Sequence, residues 1–356
     1  MHLPHLPIPV YALFIVVAVA LLWKAADWFV EGAVGVAERL RLPKMLVGIV
    51  LVSLATTSPE LLTSVLAALQ GSPELALGNA VGSVIVDDGV ALGLAALLSP
   101  LPLLAHPRIL KTSAILLIVV DITAFVMVLN GWLGRVEGAV LLALFAGYVV
   151  VSYWNERRMG PSAEEPAAAA GQAKAEACAA AGAGGELQEL ERKVAGRSVR
   201  AIALLFAGGL IGVLIGSELL MLGAVGVAES LGLSKVVIGL TIVAAGTSVP
   251  EIATVVTSAL KGHSAIGVGN IIGADILNVC VVAGASALVH PLAASRKEVF
   301  VMFPAMLAIV GTMLLMLFLG KYRLRRWHGA VLLAMYVAYV AALFVLLPPG
   351  GALGAQ

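Results

Sequence analysis

The feature that most constrains this chain is an internal repeat. GAVGVAERLRLPKMLVGIVLVSLATTSPE at 32–60 aligns without a gap on GAVGVAESLGLSKVVIGLTIVAAGTSVPE at 223–251. The same offset of 191 pairs LGNAVGS (77–83) with VGNIIGA (268–274), and GAVLLA at 138–143 with GAVLLA at 329–334. Two copies of one unit therefore account for most of the chain. Their setting is a lipid one. The 356 residues are 61% hydrophobic and only 12% charged, roughly half the charged fraction usual in a soluble domain.

Apolar runs fall near 10–31, 45–70, 74–99, 109–130 and 136–154, then near 200–222, 236–260, 265–289, 298–319 and 327–347. Each is close to the ~20 residues that cross a bilayer as helix. The expected fold class is all-α: a polytopic membrane protein of about ten transmembrane helices, arranged as two inverted five-helix repeats. Five is odd, so the second copy sits upside down relative to the first. The boundaries are 1–154 for the first repeat (motif region 45–99) and 200–356 for the second (motif region 236–289). Between them, 155–199 is an Ala/Gly/Glu-rich, low-complexity linker.

A net charge of +1 gives no bulk attraction for nucleic acid. Cys178 and Cys280 fall in the linker and in a predicted span, forming neither a disulfide framework nor a ligand cluster. No cleavable signal pattern is present, because the first apolar run is long and leads into further spans. Lys and Arg collect on one face of the ten-span plan (Arg39, Arg41, Lys44, Arg108, Lys111, Lys261, Lys321, Arg323, Arg325 and Arg326). That face is expected to be cytoplasmic, with the central linker inside and both termini outside, in the cell (inner) membrane.

Two motifs carry chemistry. Thr56-Thr57-Ser58-Pro59-Glu60 and its twin Thr247-Ser248-Val249-Pro250-Glu251 sit within spans. A mid-helix proline removes one N–H and frees the carbonyl four residues earlier, at Ala55 and Gly246. Thr56 and Glu60 are four apart, as are Thr247 and Glu251, which on a helix puts each pair on one face. On the following span, Asn79, Ser83 and Asp87 share a face, matched by Asn270, Ala274 and Asn278. Carboxylates, hydroxyls and loose carbonyls together are the oxygen-rich surroundings that hard cations bind. The expected metal ligands are Glu60, Glu251, Asp87, Thr56, Thr57, Ser83, Thr247, Ser248, Asn278 and Asp275, with Asn79, Asn270 and Asp88 in supporting places. A carboxylate at membrane depth costs at least about 2.5 kcal/mol, so its default reading is functional.

These residues carry a resemblance. ATTSPE (55–60) and GTSVPE (246–251), each followed by GN-x-x-G, resemble the α-repeats of the Ca2+:cation antiporter superfamily, most closely its sodium/calcium exchanger branch of prokaryotic type. The resemblance implies exchange of a divalent cation, most often Ca2+, against Na+ by alternating access, with Glu60 and Glu251 as central ligands and no cofactor. It also implies that the first and sixth spans slide as a gate over the motif-bearing core. In that branch Asn is common at the position of Asp87 and Asp at that of Asn278; here acid and amide are exchanged, and Ala274 replaces a usual serine. The partners implied are membrane lipid and inorganic cations. A proton-coupled divalent exchanger is the nearest alternative, since desolvated carboxylates also bind protons. An intramembrane enzyme of the Asp-rich prenyltransferase kind has only Asp87-Asp88 in its favour, with no second acidic motif and no nucleophile–base pattern. Lys24, Asp27, Glu31 and Glu218 are assigned no role, and His106, His263 and His290 read as solvated loop-edge residues.

Overall fold

The computed structural model describes residues 7–40, 47–158, 197–230 and 244–346. The linker expected at 155–199 and the stretch 236–243 of an expected span fall largely or wholly outside them, as do Cys178, Arg41 and Lys44. The described chain is mostly helical. In order it runs α1 (Ile8–Leu40), α2 (Gly48–Thr56), α3 (Ser58–Leu69), α4 (Pro73–Leu98), α5 (Pro107–Val128) and α6 (Arg135–Arg158). It continues with α7 (Val199–Ser230), α8 (Ala244–Thr247), α9 (Val249–Leu260), α10 (Ser264–Val289), α11 (Arg296–Leu319) and α12 (Arg326–Leu346). Among the described residues seven helices are long and apolar enough to cross a membrane, or eight when α2 and α3, bent by 49°, count as one broken span.

Each helix has a local cause. Pro73 and Pro107 open α4 and α5 in the first turn, where no N–H is needed. Ser295 caps α11 in a capping box with Glu298. Two short strand pairs tie loops of the two halves together: β1 (Leu103–Leu104) with β4 (Arg323–Leu324), and β2 (Trp132–Leu133) with β3 (Leu292–Ala293), both antiparallel.

Contacts between the halves come in exchanged pairs. Gly138 of α6 lies against the Gly284 carbonyl and Ala287 of α10, while Gly329 of α12 lies against the Gly93 carbonyl and Ala96 of α4. Adding 191 to each member of the second pair's partner set gives the first. The motif helices α4 and α10 are the most enclosed of the described helices long enough to cross a membrane, most of their residues being buried.

Outside this core α1 and α7 form one antiparallel pair. Gly32 meets Phe206, Gly209 meets Phe29, Gly212 meets Ala25 and Gly216 meets Leu22, so one helix ascends as the other descends. Glycine is required by closeness here: a Cβ on Gly32 would come within 2.5 Å of the Phe206 backbone. Small residues are what let helices associate in lipid, where burial alone supplies no drive. Gly208, by contrast, has open space where a Cβ would stand. Gly209→Ala is therefore expected to lower stability by about 1–3 kcal/mol through overpacking, and Gly208→Ala to be neutral or stabilising. Thermal unfolding of the two purified variants in detergent checks the contrast.

Candidate functional site

The broken helices make the site. α2 ends at Thr56, Thr57 is the joint, and α3 restarts at Ser58 with Pro59 in its first turn and Glu60 next. In the second half α8 ends at Thr247, Ser248 is the joint, and Pro250 and Glu251 lie in the first turn of α9. A first-turn carboxylate sits at the positive end of the helix dipole, which favours its negative charge. The carbonyl freed by Pro59 does not stay free. The Ser58 hydroxyl donates to the Ala55 carbonyl at 2.5 Å. Val249 holds the matched position in the second half and has no hydroxyl to do this.

The break also changes who faces whom. Thr56 was expected to share a helix face with Glu60, but the bend between α2 and α3 interrupts the turn that would carry that relation. Thr56 Oγ1 instead donates to Asn270 Oδ1 across the halves at 3.2 Å, and Thr56 also interacts with Glu251. The exchanged bond is present too, with Thr247 Oγ1 donating to Asn79 Oδ1 at 3.2 Å. Thr57 Oγ1 donates to Glu251 Oε1 at 3.3 Å. Asn79 Nδ2 donates to Ser64 Oγ at 2.9 Å and to the Glu60 carbonyl at 3.4 Å, which ties α4 to α3.

On α4 and α10 the helix widens to π-helical turns at Asp87–Leu92 and Asn278–Ala283, matched positions under the offset. Such turns are rare and tend to mark functional sites, because they re-aim side chains and loosen backbone bonding. Asp87 opens the first turn and Asn278 the second. α2 reaches this level by packing Gly48 against the Ile266 carbonyl and Asn270, while Gly273 receives Ile49 and Ser53.

Every residue picked out from the sequence is buried, and the structure sorts them into two adjoining groups. Glu60, Glu251 and Asp87 lie within mutual electrostatic reach, with Ser248 beside Asp87 and Thr56 and Thr57 beside Glu251. Asp88 and Asp275 contact each other and connect to Asp87. Asp275, expected as a ligand, therefore has Asp88 for a neighbour. Ser83 and Asn278 are buried with no hydrogen-bond partner for their side chains.

Sequence reasoning missed one member. Asp121, in the middle of α5, is fully buried, has no hydrogen-bond partner, and lies within electrostatic reach of Asp88, Asp275 and Cys280. The available signal was a lone acid deep inside an apolar span. Two other readings are corrected. His263 is 2% exposed rather than solvated. Asp27 and Glu31 pair with Lys261 at 3.0 and 3.3 Å.

Six acids are thus buried (Glu60, Asp87, Asp88, Asp121, Glu251 and Asp275), and no lysine or arginine is buried among the described residues. Both Glu60 oxygens, both Asp87 oxygens and Glu251 Oε2 accept no hydrogen bond. Among the described residues no three carboxylate, imidazole or thiol groups close into a metal cage. A cation held here takes a mixed shell, completed by hydroxyls, amides and backbone carbonyls. The paired threonine bonds yield a test. Thr56→Val and Thr247→Val should each cost about 0.5–1 kcal/mol, the usual size for an interhelical hydrogen bond in a membrane protein. Unfolding followed in detergent checks both losses.

An apolar helical bundle with oxygen-rich, acid-lined breaks at its centre is of the membrane ion-transport class, and comparison with known proteins agrees. The chain is 33% identical to CaxA of Alkalimonas amylolytica over 341 residues, covering 94% of this chain and 99% of that one. It is 29% identical to the sodium/calcium exchanger MaX1 of Methanosarcina acetivorans, covering 95% and 100%. Its fold is similar to that of the sodium-calcium exchanger NCX_Mj soaked with Na+ and Sr2+, with a TM-score of 0.76 and 27% identity over 95% of this chain and 99% of that one. The sodium/calcium exchanger protein family model matches residues 10–154 and 201–345. The chain belongs to that family, whose members are cation antiporters rather than enzymes.

Proposed function

We propose that this protein exchanges Ca2+ for Na+ across the cell membrane by alternating access, binding both at a pocket shared by two inverted five-span repeats. The ligands on this reading are Glu60, Glu251 and Asp87, with oxygens from Thr56, Thr57, Ser83, Thr247, Ser248 and Asn278. Asn79 and Asn270 brace the broken helices, and Asp88 and Asp275 border the pocket. One observation carries the reading: carboxylates from both halves converge at the helix breaks, and among the described residues no buried lysine or arginine neutralises them. The exchanged Thr–Asn bonds and the antiparallel α1/α7 pair support the inverted relation of the repeats.

The mechanism follows from charge. Ionised carboxylates in a dry bundle repel one another and lack water, so the cation-free pocket is the costly state. One divalent ion or two to three monovalent ions relieve that cost to a similar degree. A pocket that is stable only when loaded opposes switching sides while empty, which is the physical basis of obligatory exchange. The names of MaX1 and NCX_Mj support Na+ and Ca2+ as the pair. The proton-coupled alternative draws on a pH gradient in place of a Na+ gradient. The excess of Lys and Arg on the loops after α1, α4, α9 and α11 supports a cytoplasmic assignment for that face.

Reconstituted protein tests this reading. Ca2+ uptake should follow an outward Na+ gradient at fixed, equal pH and stop when Na+ is replaced by an impermeant cation. Uptake driven instead by a pH gradient without Na+ would assign proton coupling. Glu60→Gln and Glu251→Gln should each abolish uptake while the protein remains folded. Their cation-free forms should unfold at a higher temperature than the wild type, because a repelling charge is gone, and should no longer be stabilised by added Ca2+. Wild-type exchange in either variant would remove the proposed pocket.

A further inference from the structure

The two halves match in sequence, yet α1 and α7 do not lean on them equally. α3 and α9 hold matched places in the core: α3 packs on α4 and on the far part of α10, and α9 on α10 and the far part of α4. Only α9 also carries the outer pair. Leu22, Ala25 and Ala26 of α1 and Val213 of α7 close over its Val249 and Ala253. The residue matched to Ala253 is Leu62, and it is 63% exposed. Among the described residues α3 has no comparable packing from α1 or α7. The pair is therefore shut against α9 and apart from α3.

The shut side is bonded as well as packed. Lys261, the residue after α9, reaches back to α1, where its Nζ lies 3.0 Å from Asp27 Oδ1 and 3.3 Å from Glu31 Oε1. It also donates to the Asp27 carbonyl at 3.4 Å. Asp27 and Glu31 are one helical turn apart and present one face. Glu31 is held from its other side by Arg197, ahead of α7, at 3.0 Å, and Arg39 donates to the Arg197 carbonyl at 2.8 Å. The side chains of Lys261 and Glu31 are only 19% and 16% exposed, so solvent screens this pair less than an ordinary surface bridge.

The opposite side lacks the equivalent. Under the offset Lys261 corresponds to Gln70, Asp27 to Glu218 and Glu31 to Leu222. When α7 closes on α3, the matched contact is an amide against one carboxylate, with no ion pair and no second acid. We infer that Lys261 is a one-sided latch, holding the α1/α7 gate shut against α9 and biasing the transporter toward the state open beside α3. This rests on the alternating-access reading above. An ion pair made in one state and not in the other shifts the equilibrium by its differential energy, and so sets how readily each side of the membrane finds a competent site.

Interlabel distances test this in full-length protein freed of Cys178 and Cys280 by serine substitution and held in lipid nanodiscs. Spin labels at Ser72→Cys and Ser230→Cys, both exposed, report the gap between the end of α7 and the turn after α3. Lys261→Gln, which gives the end of α9 the amide found at the matched end of α3, should raise the short-distance population about fivefold or more, the usual scale of such couplings. Asp27→Asn with Glu31→Gln should do the same, and Lys261→Arg should keep the wild-type distribution. An unchanged distribution in Lys261→Gln overturns the latch. The readout needs no transport: shifted distances without Na+-driven uptake by the wild type would retire the exchange reading and leave the latch standing. Exchange with unshifted distances would do the reverse.

Discussion

The structure depends on keeping six carboxylates dry. At about 2.5–3.5 kcal/mol for each acid carried to the centre of a membrane helix, their burial is strongly unfavourable, and among the described residues no buried lysine or arginine offsets it. Much of the remaining architecture answers it. The breaks at Thr57 and Ser248 place Glu60 and Glu251 at helix starts, where the dipole is positive. The π-helical turns bring Asp87 and Asn278 to the same level. Threonines donate across the halves to Glu251, Asn79 and Asn270. These devices reduce the repulsion without removing it, and the residual demand for positive charge is what a cation meets.

Holding such a centre requires rigid walls and a movable cover. The walls are α4 and α10, glycine-rich and buried through most of their length, braced by reciprocal contacts such as Gly138 on α10 and Gly329 on α4. On the proposed reading the cover is the α1/α7 pair, joined to itself along nearly its whole length by close glycine contacts and to the core through α9 and, from Phe29 to Ala37 of α1, through α2 and Ile266. A pair bonded more continuously to itself than to its support is suited to moving as one body. The ionic contacts of Lys261 lie on the boundary between cover and core.

Much of this was legible in the sequence because it is periodic. The offset of 191 located both breaks, both GN motifs and the inter-half glycines, and apolar run length located the helices. What escaped is what periodicity does not encode. Thr56 turned from Glu60 to Asn270 because a proline break resets helical phase, and phase across a break is a three-dimensional property. Asp121 belongs to neither motif, so only its depth in an apolar run marked it. Asp27 and Glu31 read as unassigned charges because their partner, Lys261, lies more than two hundred residues away. His263 was misjudged because a residue at a loop edge can still be covered by neighbouring helices.

The two halves match in motifs and in the order of their described helices but not in buried charge. Among the described residues the first contributes Glu60, Asp87, Asp88 and Asp121 to the interior, and the second Glu251 and Asp275. The most negative region is therefore displaced from the midline of the molecule toward the first half. On the proposed exchange reading this asymmetry leaves the equilibrium ratio of exchange untouched and gives the two directions of turnover different barriers.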